Sequence, residues 1–444
     1  MRVREALAGA LLGSVAALAL TCAPAAARPM HWMARSSFAQ PPNTNQCVQQ
    51  TGLACYSPLQ YETAYNMKSV YAGGLTGAGK TIVLVDSFGS PTIKSDLSTF
   101  DQAYGLPAPP SFKIIQPAGK VPPFNPNNSG QVNWGVETSL DVEYSHAMAP
   151  GAKILLVETP VNETEGVQGF PQMMNAESYV INHHLGDVIS QSFAATEETF
   201  PSPQSILSLR YAFLDAQRHG VTVLGASGDD GASDQKFNLI DFYPRRVDAW
   251  PSTDPLVTSV GGTQLHLNLN GFRNAPDNVW NDTALLGSPA ASGGGLSTVF
   301  TRPAFQDGVA NVVGDSRGTP DVAMSAAVNG GALVYMSFGG LPGPAFYIVG
   351  GTSEATPLFA GIVAVADQAA GHDLGLLDPA LYSIEAQHAP GLVDITSGNN
   401  SVTFPQNGAE ITVKGFQAGP GYDLASGLGT ADGAALVKEL ASGQ

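Results

Sequence analysis

The chain has 444 residues, with 37 acidic side chains against 20 basic ones, a formal net charge of −17 and only 3 Cys. Its length and 43% hydrophobic content suffice for a large buried core, and its 50 Gly and 32 Pro describe a turn-rich globular protein without low-complexity tracts. Only 13% of residues are charged, so the negative sign reflects scarce Lys and Arg. With no basic cluster, binding to nucleic-acid phosphates or to an anionic membrane surface is not expected.

In chain order, Arg2 and Arg4 precede an apolar run from Ala6 to Leu20 and the small residues Ala25, Ala26 and Ala27. These are the parts of a secretory signal peptide over residues 1–27, cleaved after Ala27; the apolar part is short for a bilayer span. A lipid anchor on Cys22 competes with this reading, but Thr21 is a poor residue before a lipidated cysteine. The remaining chain is expected to be secreted, extracellular, free of the membrane and monomeric. Cys47 and Cys55, an even pair in an oxidising compartment, are expected to close one small disulfide loop. The 8 His show no zinc-ligand spacing.

Residues 28–54 are polar and Pro-containing and read as an extended lead-in. From there to residue 444 short β-branched runs alternate with helical patterns. Strands are predicted at Thr81–Val85, Lys153–Val157, Val188–Ser190 and Val221–Leu224. Helices are predicted at Ile93–Tyr104, Glu137–Met148, Met173–His184 and Gln204–Arg218. This alternation predicts a single α/β domain over 55–444, doubly wound around a mostly parallel sheet with helices on both faces. The Gly/Ser/Asn-rich connections 227–235, 287–297 and 396–408 read as functional or metal-binding loops.

Three segments carry candidate chemistry. Gly350-Gly351-Thr352-Ser353-Glu354-Ala355-Thr356-Pro357 leads into an Ala-rich apolar helix, placing Ser353 at a helix N-terminus, where free N–H groups favour developing negative charge. A plain Ser N-cap is the alternative, with Pro357 tolerated in a first turn that lacks internal N–H partners. Glu137 and Asp141, at i and i+4, share one helical face, as two carboxylates of an ordinary acidic surface also would. Asp229, in Ala226-Ser227-Gly228-Asp229-Asp230-Gly231, follows a strand at the C-terminal sheet edge, where ligands bind in open α/β sheets; a plain Asp-Gly turn has the same sequence.

Taken together these strings resemble the sedolisins, the serine-carboxyl peptidases of subtilisin-like fold. Glu137 and Asp141 lie in a string similar to that of the family's catalytic Glu and Asp, Asp229 in one similar to its oxyanion-hole Asp, and Ser353 in Gly-Thr-Ser-x-x-x-Pro, similar to its nucleophile motif. Further similar stretches are Ser190–Phe193, Val257–Thr263, Ser292–Gly295 and Pro320–Val322. The resemblance implies a secreted, acid-active serine-type endopeptidase of proteins or peptides. In it Glu137 is the general base and acid, Asp141 orients it, and a protonated Asp229 joins the Ser353 N–H at the oxyanion. Asp86, ending its strand, reads as structural or substrate-lining.

The resemblance also implies one structural Ca²⁺, held by the side chains of Asp394 and Asp423 and the carbonyls of Ile395, Gly419 and Gly421, an all-oxygen set suited to a hard cation. Ser57–Tyr65 is similar to the start of the family's catalytic domain and follows the signal too closely for the family's usual large propeptide. The loops at Asp234–Lys236 and Tyr243–Arg246 match nothing familiar. Two other readings compete: a non-catalytic peptide-binding homologue that retains the fold, and an Asp86–His146–Ser353 triad.

Overall fold

The β-branched runs assemble into one eight-stranded sheet. The structure, a computed structural model, describes residues 31–443, so the signal-peptide reading lies outside the described residues. Across the sheet the strands run Asn278–Val279, Thr258–Gln264, Thr222–Ala226, Val188–Gln191, Thr81–Ser87, Lys153–Thr159 and Phe112–Ile115, with Val322–Ser325 also paired to Thr258–Gln264. All pairings are parallel except that of the short Asn278–Val279 edge. The predicted doubly wound architecture is therefore the one observed.

Side-chain alternation along each strand explains why both faces must be covered. Ile82, Leu84, Ile154 and Leu156 enter one core with Val136, Leu140, Leu358 and Ile362 from the helices Ser129–Met148 and Thr352–Ala370. Val83, Val85, Leu155 and Val157 enter the other with Met173, Val180 and Phe213 from Phe170–Asn182 and Tyr211–His219. Each such fully buried side chain contributes roughly 1.5–3 kcal/mol. The two central helices approach closely because Gly361 has no side chain: a Cβ there would lie 2.4 Å from that of Met148.

Three local departures from the sequence reading have physical reasons. Helix Ser129–Met148 begins earlier than expected because the Asn128 side chain caps it, accepting from the Gln131 N–H at 3.1 Å. The helix expected over Gln204–Arg218 is two, Pro203–Leu207 and Tyr211–His219, and at the break Arg210 forks onto Asp254 at 2.6 and 2.8 Å. The lead-in is built into the fold. Trp32–Phe38 is a strand in a second sheet of order Trp32–Phe38, Ala345–Gly350, Gly331–Met336, Cys55–Tyr56. Thr44–Thr51 is a helix closed by an Asn43–Gln46 capping box, and Cys47 and Cys55 are disulfide-bonded.

Candidate active site

The C-terminal ends of three adjacent parallel strands converge on the two central helices. Strand Thr81–Ser87 delivers Asp86, the turn after Val188–Gln191 delivers Ser192, and the loop after Thr222–Ala226 delivers Asp229. Helix Ser129–Met148 presents Glu137 and Asp141, both fully buried, so the ordinary acidic surface is ruled out.

Ser353 is the second residue of helix Thr352–Ala370. Its N-cap is Gly351 at φ +126°, a conformation that L side chains rarely adopt, so Ser353 is not the cap and its hydroxyl is free for another task. Gly351 cannot cap the orphan N–H of Thr352; Asp229 does so from across the site. Its Oδ1 accepts from the Thr352 N–H and from Thr352 Oγ1, each at 2.8 Å. Pro357 is the sixth residue of the helix, beyond the expected first turn, and without an N–H it leaves the Ser353 carbonyl lacking its helical partner.

Glu137 Oε1, Asp229 Oδ2 and Ser353 Oγ are among the buried oxygens with no hydrogen-bond partner, as are Asp86 Oδ1 and Oδ2, Asp141 Oδ2 and Glu163 Oε2. Unsatisfied polar atoms are costly, and their concentration on one site calls for a ligand or a reaction. Burial raises the Asp229 pKa well above the ordinary carboxylate range, against the Thr352 bonds and helped by the Glu137 charge. Asp229 therefore holds its proton at acid pH, and with Oδ1 committed to two donors the free Oδ2 is the end that can carry it.

The acid cluster is larger than the sequence suggested. Asp86 is fully buried, and burial and then the Glu137 charge push its pKa up to about 8. Burial, then the charges of Asp86 and Glu137, in turn raise Asp141, which accepts from Ser192 Oγ at 3.1 Å. Both Asp86 oxygens and Asp141 Oδ2 are buried without a hydrogen-bond partner, so the two acids act on each other as neighbouring buried carboxyls whose titrations are linked. Glu163, raised by burial and by the charges of Glu137 and Asp86, adds a further carboxyl. The signal for Asp86 was its place at a strand end; Glu163 carried none.

His31 supplies the least expected contact: its Nδ1 lies 2.5 Å from Glu137 Oε2, with both side chains nearly inaccessible. His146 is elsewhere, its Nε2 2.8 Å from the Pro107 carbonyl and 3.3 Å from Asp101 Oδ1, which removes it from any triad with Ser353.

The loops proposed for calcium do meet. Asp394 Oδ2 accepts from the Gly421 N–H at 2.9 Å and Asp423 Oδ2 from the Gly419 N–H at 3.0 Å, so both carboxylates reach one turn. Asp423 Oδ1 also accepts from the N–H groups of Ala425 and Ser426, each at 2.9 Å. Among the described residues no group of three or more His, Cys, Asp or Glu side chains is placed to hold a metal.

This architecture, with a Ser at the N-terminus of a buried helix crossing a parallel sheet, defines a subtilisin-like class. Residues 124–380, more than half of the chain, match the subtilase family, Peptidase_S8. The chain is 33% identical over 404 residues to kumamolisin of Bacillus sp. (strain MN-32), a match covering 88% of this chain and 65% of that protein. It is 29% identical over 390 residues to sedolisin of Pseudomonas sp. (strain 101), covering 87% and 61%, and 31% identical over 372 residues to tripeptidyl-peptidase 1 of Rattus norvegicus, covering 78% and 57%. The solved structure of Pseudomonas sedolisin, a serine-carboxyl proteinase complexed with two molecules of pseudo-iodotyrostatin, superposes with a TM-score of 0.71 at 25% identity, covering 88% of this chain and 99% of that one. The chain belongs to the subtilase family and, within it, to the sedolisins. It spans less than two thirds of the length of these curated relatives.

Proposed function

We propose that this chain is a secreted, acid-active serine-carboxyl endopeptidase that cleaves protein or peptide substrates through an acyl-enzyme on Ser353. The observation that carries this is the trio of buried, partnerless oxygens: a nucleophile, a base and a donor, each lacking the partner that a reacting peptide would bring. Glu137 Oε1 takes the Ser353 proton as Oγ attacks the carbonyl carbon, then returns it to the leaving amine. Asp141, bonded to Ser192 and raised by burial beside Asp86, holds the helical face that presents Glu137 and keeps a proton in reserve. The oxyanion receives the Asp229 proton from Oδ2 and the Ser353 N–H at the helix N-terminus. An ionised Asp229 would repel that charge, so activity ends where Asp229 loses its proton.

Export is supported by the Cys47–Cys55 disulfide, and no helix among the described residues is long and apolar enough to cross a membrane. One Ca²⁺ is proposed at the turn where Asp394 and Asp423 meet. The two carboxylates reach this turn, the carbonyls of Ile395, Gly419 and Gly421 would complete an oxygen set of the kind that a hard cation takes, and the ion would clamp two C-terminal loops together.

The test is digestion of casein from about pH 3 to about pH 8, where ordinary and raised carboxyls titrate, by wild type, Ser353→Ala and Glu137→Ala. Acid activity abolished in both variants is expected. Activity at neutral pH indifferent to Glu137, or none at any pH, would overturn the proposal.

A further inference from the structure

Ala345–Gly350 runs directly into Gly351 and Ser353, and one of its edges is paired with Gly331–Met336. Its other edge is filled by the chain itself. Residues Trp32–Phe38 lie antiparallel along it, with Trp32 opposite Gly350, Met33 opposite Val349, and Ser37 and Phe38 opposite Tyr347 and Phe346 after a bulge. This register carries His31 past the end of the strand and onto Glu137.

Two features distinguish this strand from a core strand. The strand that it covers is buried throughout, whereas within Trp32–Phe38 only Phe38 is buried, the rest being half-buried or exposed. Its hold consists of ladder hydrogen bonds, Phe38 in the main core with Trp32, Met33 and Ala34 against its margin, Trp32 also against the patch around Trp280 and Ala326, a Gln50 side chain donating to the Ser37 carbonyl at 3.3 Å, and the His31–Glu137 contact. Removing it would expose the N–H and C=O groups of a strand that ends three residues before Ser353. An unpaired edge of that kind is where an extended peptide adds as a further strand.

We infer that the edge of Ala345–Gly350 is a docking place for extended peptides and that residues 31–38 occupy it as an internal competitor, with His31 covering Glu137. This rests on the proposed roles of Glu137 and Ser353. A side chain in hydrogen-bond contact with the base stands where a peptide must lie to reach the nucleophile, so only molecules whose segment has lifted away bind substrate. Apparent affinity is then lowered by the open fraction, while turnover at saturating substrate is untouched.

His31→Ala should therefore lower KM at least about threefold, the factor by which the open fraction rises, and leave kcat unchanged. An added peptide of the sequence of residues 31–38 should inhibit His31→Ala competitively, and its His-to-Ala version more weakly. An unchanged KM overturns the inference; a fall in kcat does too, since it would make His31 a positioning partner of Glu137. Should His31→Ala fail to fold, hydrogen exchange in the full chain carrying Ser353→Ala serves instead. Saturating casein peptides should speed exchange at 32–38 while 345–350 stays protected, and unaltered protection at 32–38 overturns the inference. Failure of the functional reading shows separately, as activity that survives Ser353→Ala.

Discussion

Replacing Asp229 separates its two jobs, because one oxygen caps a helix and the other is free. In Asp229→Ala both go. The Thr352 N–H and hydroxyl, on a fully buried residue, lose the acceptor that each meets at 2.8 Å. An orphaned cap costs about 1 kcal/mol, up to about 2. The oxyanion also loses its donor, worth about 10²–10³ in kcat, or roughly 2.7–4 kcal/mol. In Asp229→Asn the carbonyl oxygen must face Thr352, since both groups there donate, so the amide NH₂ occupies the Oδ2 position and donates at every pH. The expected order of kcat at acid pH is wild type, then Asn, then Ala, with thermal stability falling only in Ala. The alkaline limb should also change: in wild type it includes loss of the Asp229 proton, held to unusually high pH by burial, and in Asn that contribution is gone, so the limb moves upward. The assay is kcat and KM on one chromogenic peptide across pH, with a melting curve at each pH. An Ala variant within threefold of wild type, or an Asn variant with an unmoved alkaline limb, refutes the assignment.

Gly361→Ala should destabilise the protein by about 1–3 kcal/mol and reduce kcat, because the new Cβ, 2.4 Å from that of Met148, pushes apart the helices that carry Glu137 and Ser353; an unchanged melting temperature would contradict the packing argument. Stability should fall as pH rises from about 4 to about 8, since buried carboxyls keep protons in the fold that the unfolded chain releases near pH 4, each unit of difference contributing about 1.4 kcal/mol. Asp86, Asp248 and Glu354, all raised to about 8 chiefly by burial, define the upper end of that window; a melting temperature higher at neutral pH than at pH near 4 reverses the sign and refutes it. A calcium chelator should lower the melting temperature, and Asp394→Ala and Asp423→Ala should abolish that response; indifference to chelation removes the ion.

What could be read from the sequence was what repeats or is local. Runs such as Thr81–Val85 and Lys153–Val157 announce buried parallel strands because both faces are covered, and the observed strands extend each by two residues. Ser353 and Asp229 were legible because glycines and a following helix mark a backbone turned towards a ligand. Glu137 and Asp141 were legible as a spacing, but their burial was not, since an exposed acidic face has the same pattern. His31 shows the opposite limit. It stands in a polar stretch without periodicity, and its contact with a residue 106 positions away is decided by the register of Trp32–Phe38 on Ala345–Gly350. Glu163 was hidden for the same reason, and Asp86, read from its strand end as structural or substrate-lining, gave no sign of the acids beside it: sequence distance says nothing about which carboxyls a sheet edge will bring together.

The shortage of Lys and Arg has a structural counterpart in how the core neutralises its acids. A buried carboxylate needs a cation, several donors or a proton. Arg317 supplies the first solution, fully buried with Asp321 Oδ1 at 2.7 Å, and Tyr382 adds a hydroxyl donor to the same oxygen at 2.9 Å. Elsewhere the core uses the third: Asp86, Asp141, Glu163 and Glu177 are buried, Asp229 is half-buried with its Oδ2 inaccessible, and all five are raised, with no Lys or Arg among the charges that act on them. Protons serve as counterions there, and they stay only while the surroundings supply them. Where rising pH removes them, Asp86 and Asp141 become mutually repelling charges on adjoining elements, and Asp229 turns from donor to repellent. The pH that ionises the candidate site is thus also the pH that strains the two helices and the strand ends holding it, so loss of activity and loss of stability on the alkaline side have one cause.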